Sequence, residues 1–258
     1  MRIAPWLALP ALVALACSSG DDDDGVDSDT DPVVAFDPVD VPTTGRPPDT
    51  LSAMQLLRIE GDGTIVFNDE LQGYDMNSPL FSDYAVKSRA IYVPPGQSGA
   101  WHENDVFELP LGSAIVKSFG FPSDATDPDS PVDWVETRVL IHMESGWEGW
   151  PYVWNADQTE AELMVAGDLQ TRTVVDGSGE TVEFPYLVPQ RNQCIECHEI
   201  KDEQGENTTS PIGIKARHLN RLDSDGVNQL QVLTDRGMVT GIPDPSTIDA
   251  AFDLRVVQ

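Results

Sequence analysis

Apolar and polar residues alternate with period two from about residue 65 to residue 187, in short runs broken by Gly, Pro and Asp. This predicts a mainly β fold, an antiparallel sandwich or barrel-like domain. After Pro189 the pattern changes to balanced charge and helical spacing, which adds a small, partly helical segment behind the β domain. The expected organisation is a leader at 1–17, a spacer at 18–50, a β-rich domain at 51–190 and a distinct C-terminal segment at 191–258.

The leader begins Met1-Arg2, continues with an apolar run over residues 3–16 and reaches Cys17 followed by Ser18-Ser19-Gly20. Such a run is too short to span a bilayer as a helix and reads as an export signal. Ala14, Leu15 and Ala16 ahead of Cys17 resemble a bacterial lipobox. Cys17 is therefore expected to become a lipidated first residue, anchoring the protein to a membrane on the periplasmic or cell-surface side. An ordinary cleaved signal peptide with an incidental cysteine is the alternative.

Residues 18–50 hold ten Asp, five Pro and a single basic residue, Arg46. A segment of this kind repels itself and has little apolar surface to offset the entropy of ordering, so a disordered acidic tether is expected. Asp27, Asp29 and Asp31 alternate like the start of a calcium loop. Pro32 stands where such a loop needs Gly, and no Glu closes it.

Within the β-rich part, Val135, Thr137, Val139, Ile141 and Met143 are expected to face one way, with Glu136, Arg138 and His142 opposite. Shorter strands are expected at 64–67, 90–93, 106–109 and 114–121, and a hairpin about Asp176-Gly177-Ser178-Gly179. Trp147, Trp150, Tyr152 and Trp154 crowd together; they suit a stacking platform for a sugar or cofactor, or the core of a β domain, and core is expected. His102 and His142 carry no functional signal.

The stretch richest in chemistry is Cys194-Ile195-Glu196-Cys197-His198, a CXXCH run. Two thiols so spaced can each form a thioether to a vinyl group of haem, and the adjacent imidazole becomes an axial ligand of the iron. Covalent haem c is thus the expected cofactor, with Cys194 and Cys197 as attachment points and His198 on the metal. Zinc would need two further ligands, and a thioredoxin-like pair would leave His198 without a role. The cysteine count agrees with haem, because one lipidated Cys17 and two haem-linked thiols account for all three.

Pro211 resembles the proline of class I cytochromes c whose carbonyl accepts from the proximal histidine, a bond that fixes its tautomer. For the sixth iron position Met238 has the chain order of His/Met cytochromes, with His218 as rival and an open position as third choice. Lys215, Arg217 and Arg221 are expected to face the haem carboxylates. The net charge of −29 argues against a nucleic-acid partner, whose phosphates demand the opposite sign.

Several phrases together resemble a bacterial family of exported conserved hypothetical proteins and dihaem c-type cytochromes, some fused to parallel β-helix repeats. They are Asn77-Ser78-Pro79-Leu80-Phe81-Ser82-Asp83-Tyr84, Glu136-Thr137-Arg138, Pro151-Tyr152-Val153-Trp154-Asn155, Asn192-Gln193 before the CXXCH run, Pro211-Ile212-Gly213, and Leu219-Asn220-Arg221. The resemblance implies a β-rich domain followed by a haem-binding segment. That family carries a second CXXCH downstream, whereas this sequence has one, which implies a monohaem version or a missing second haem domain.

The expected function is therefore electron transfer by a membrane-tethered, exported monohaem cytochrome c-like lipoprotein serving a redox partner protein. A haem-containing oxidoreductase subunit, or a surface binding module whose haem is sensory or structural, are the alternatives. No HEXXH, GXSXG or phosphate-binding Gly loop supports an independent catalytic centre.

Overall fold

The strands fall largely where alternation places them. In the computed structural model, which describes residues 35–82, 85–201 and 204–253, they run β1 Leu57–Ile59, β2 Ile65–Phe67, β3 Leu71–Gly73, β4 Val86–Tyr92, β5 Gly99–Ala100, β6 Ala114–Pro122, β7 Val132–Met143, β8 Gly146–Trp154, β9 Ala161–Leu163, β10 Asp168–Val175 and β11 Thr181–Val188. Then follow α1 Arg191–His198, β12 Glu199–Lys201, β13 Asn207–Thr209, α2 Ala216–Leu219, α3 Gln229–Asp235 and β14 Val239–Thr240. The expected leader with Cys17, and the tether up to residue 34, lie outside the described residues.

The fold is mainly β with antiparallel sheets. Its frame is a six-stranded sheet in the order β3-β4-β6-β7-β8-β9, every neighbouring pair antiparallel. The other strands pair in twos: β1 with β2, β10 with β11, β12 with β13, and β5 in parallel with β14. In place of a sandwich's second large sheet, hairpins, loops and short helices cover the frame.

Both faces of the frame are apolar, so both need cover. On one, Val116, Val139, Ile141, Trp150, Tyr152 and Trp154 pack with Leu51, Met54, Leu56 and the β1–β2 hairpin. On the other, Ile91, Ile115 and Leu140 pack with Ile214, Leu219, Leu230, Leu233, Met238 and Val239. A third cluster joins Phe121 and Val135 to Tyr186 and Val188 of β11. Trp150, Tyr152 and Trp154 are thus core, and Trp147 stacks on His142 with ring centroids 4.8 Å apart.

Four expectations are corrected. The run at 106–109 forms isolated bridges, Val106 with Lys215 and Glu108 with Ala100, in place of a strand. A register shift between Phe119 and Gly120 leaves Val135 as an extra residue on β7, so it turns to the β11 side while Thr137, Val139, Ile141 and Met143 keep the expected face. The spacer ends early: Val39 and Val41 pack on the first core, Pro47 is buried, and the Pro48 carbonyl accepts a 2.9 Å bond from the Tyr152 hydroxyl. Finally, residues Phe36–Gln258 form one compact unit, because the second core draws side chains from both sides of the expected boundary at residue 190.

Candidate cofactor site

Helix α1 has little amphipathic character, and three local devices hold it in place. At its start the Gln190 N–H donates to the Gln193 side chain at 3.0 Å, satisfying a backbone donor next to Pro189. Arg191 ion-pairs with Glu148 and lies over the Trp150 ring, 4.0 Å from its centroid, which ties the first turn to β8. Between these two β8 residues stands Gly149, and a Cβ added there would come within 2.8 Å of the Cys194 Cβ. Only glycine lets the helix settle this closely on the strand.

The helix brings Cys194, Cys197 and His198 to the wall of one cavity of about 660 Å³, within the range of cofactor and ligand pockets. Both thiols are free, Cys194 buried and Cys197 exposed. Burial pushes the Cys194 thiol up from its ordinary value, so it is held as the neutral thiol. His198 Nδ1 lies 2.8 Å from the Ser210 carbonyl, which can only accept. Nδ1 therefore carries the proton, and Nε2 is the nitrogen available to a metal. Burial lowers the His198 pKa and favours the neutral, ligating imidazole.

The expected role of Pro211 thus moves one residue back, to Ser210. The antiparallel pairing of β12 with β13 delivers that carbonyl: Glu199 is opposite Thr209, and the next N–H along, that of Ser210, donates to the His198 carbonyl at 2.9 Å. Pro211 itself lines the cavity, and its carbonyl accepts from the Ile214 N–H.

Of the candidates for the far side of an iron, Met238 is 5% exposed within the second core and does not line the cavity. His218, on α2, does line it. Its Nδ1 is buried without a hydrogen-bond partner among the described residues, and burial keeps its pKa low. Met76 also lines the cavity, its sulfur 3.3 Å from where a Cβ on Gly213 would stand. The Asn77 side chain holds this segment to α2 through the carbonyls of Arg217 and Asn220, at 3.1 and 3.2 Å.

The expected carboxylate partners are elsewhere. Lys215 pairs with Asp105 at 3.1 Å, Arg217 donates to the Asn104 carbonyl at 3.3 Å, and Arg221 pairs with Asp75 at 3.2 Å; none lines the cavity. The cations that do are Lys87, Arg89, Lys117 and Arg138, on β4, β6 and β7. Sequence reading missed all four, although Lys117 in the apolar run of β6 and the Lys87/Arg89 pair two apart on β4 were the available signal. Arg138 is held by Glu136, fully buried on the same strand, through bonds of 2.8 and 2.5 Å, and Glu136 also accepts from the Tyr186 hydroxyl at 2.7 Å. Phe119 lies beneath Lys117 and Arg138, at 4.9 and 4.2 Å from its ring centroid.

The remaining walls are largely apolar, with Ile115, Phe119, Leu140 and Ile214 inside and Leu80 and Phe81, each 68% exposed, at the rim. The donor set of two thiols and an Nε2-directed imidazole, with His218 on the same cavity wall, fits a covalently held haem. Among the described residues no group of three or more His, Cys, Asp or Glu comes together as a zinc site would require. No family model, curated protein or solved structure matches the chain.

Proposed function

We propose that the protein is a c-type cytochrome: an exported, lipid-anchored carrier of single electrons whose one haem is linked to Cys194 and Cys197 and bound through His198. The observation that carries this reading is the His198 arrangement. A CXXCH imidazole whose Nδ1 is committed to the Ser210 carbonyl, beside two free thiols at a largely apolar cavity, is disposed to ligate through Nε2. Each thiol would add its sulfur and hydrogen across a vinyl double bond, forming C–S and C–H bonds with no net transfer of electrons. Haem iron so held supplies reversible one-electron oxidation and reduction.

The chain's own residues set the conditions. Ser210 fixes the tautomer of His198, and Gly149 with Arg191 fixes the helix that carries both thiols. His218, a residue of the cavity wall, would be the second residue to hold the iron in the role expected of Met238, and two histidines would set a lower potential than a histidine with a methionine. The export signal, Cys17 and the acidic spacer support a membrane-tethered position facing a redox partner protein.

Carbon monoxide binding tests the carrier reading on the reduced, haem-loaded protein. A six-coordinate carrier binds it slowly, and His218→Ala should open the site and speed binding. Rapid binding by the wild type would move the assignment to a haem oxidoreductase.

A further inference from the structure

We propose that Arg89, Lys117 and Arg138 form an anion site in the cavity wall that takes a carboxylate or an oxyanion. The strand register is the main observation. Arg89 of β4 stands directly opposite Lys117 of β6, and Lys117 directly opposite Arg138 of β7, so three cations form one row on one face of adjacent strands. Like charges placed opposite one another destabilise a sheet, and burial raises the cost.

Carboxylates address only the ends of this row. Glu136 engages Arg138, and Asp75, 3.4 Å from Arg89, is shared with Arg221. Lys117, in the middle, has no carboxylate within ion-pair distance among the described residues. Stability alone would favour an apolar side chain at 117, next to Val116 and opposite two guanidinium groups. A bound anion supplies the missing charge: the guanidinium groups offer the N–H donors not taken by Glu136 and Asp75, the ammonium a point charge, and Phe119 supports two of the three from below.

Two sources share this chemistry. One is the carboxylates of a haem held by α1, which rests on the function proposed above; the other is a free small anion, which does not. The test uses the full chain prepared with and without a cytochrome maturation system, titrated calorimetrically with inorganic phosphate and with succinate and followed by thermal melting. The haem-free chain is expected to bind at least one probe and to melt higher with it. Lys117→Met should weaken binding at least tenfold while raising the melting temperature without anion, and Lys117→Arg should retain binding. A purely structural lysine would give the opposite, a lower melting temperature in Lys117→Met.

In the haem-loaded chain, loss of the probe response assigns the site to the haem carboxylates, and its persistence to a free anion. Lys117→Met there should also lower the reduction potential, since removing a nearby positive charge favours the oxidised iron, and Lys117→Arg should restore it. If maturation attaches no haem, the cytochrome reading fails while the probe titration of the chain still decides the anion site. Undiminished probe binding by Lys117→Met would overturn the proposal. So would the absence of both a probe response in the haem-free chain and a potential shift in the loaded one.

Discussion

Lys117 shows most clearly what a single residue gives up for this site. Burial, with Arg138, Arg89 and Lys87 facing it and Glu136 alone opposing them, brings its pKa down from 10.5 to about 8. Between those values the unfolded chain holds the proton more readily than the folded one, so stability rises with pH across that window and the penalty is complete below it. Lys117→Met should therefore melt above the wild type at about pH 7, with the gap closing toward about pH 10; a gap independent of pH would contradict this origin. Glu136→Gln should destabilise by about 1–3 kcal/mol in denaturant unfolding, because it removes the charge that holds Arg138 and replaces one of the two oxygens that accept from Arg138 and Tyr186 with a donor. Cys194, Cys197 and His198, which line one cavity, stand out as candidates in the sequence because a CXXCH motif is local. The cation row was not, because residues 89, 117 and 138 become neighbours only through strand register. Met238 has the chain order of a ligand, but it packs with the apolar Leu230 and Leu233 in the second core, away from the cavity lining.

Among the elements, α1 depends on its contact with β8. Gly149→Ala places a methyl group 2.8 Å from the Cys194 Cβ, so the helix has to lift. Covalent haem yield in a maturation host should fall several-fold, while Gly177→Ala, with open space around it, should leave the yield unchanged. Equal yields from the two variants would show that the helix position is not set by this contact. In α2 and α3 the buried Ala216, Leu219, Leu230 and Leu233 follow helical spacing, the kind of signal that periodicity displays. Helix α1 carries no such signal: it lacks an apolar stripe and is held by Gln193, Arg191 and the strand beneath.

At the scale of the whole molecule, the change of composition at residue 190 marks a change of secondary structure within one compact unit. The second core takes Ile91, Ile115 and Leu140 from before it and Ile214, Leu230 and Val239 from after it, an arrangement that no linear reading of hydropathy displays. A fragment of residues 36–190 should therefore aggregate or fail to fold, whereas 36–258 should melt as the full chain does; cooperative folding of the shorter piece would restore the two-part division. Composition assigned residues up to 50 to the spacer, whereas Val39, Val41 and Pro47 already pack.

The pyridine haemochrome spectrum of the full chain, expressed with a cytochrome maturation system and denatured to remove non-covalent haem, tests the central claim most directly. A c-type band at one haem per chain is expected, abolished in the Cys194→Ala, Cys197→Ala double variant. Absence of the band, in a host that loads a control cytochrome, would contradict it.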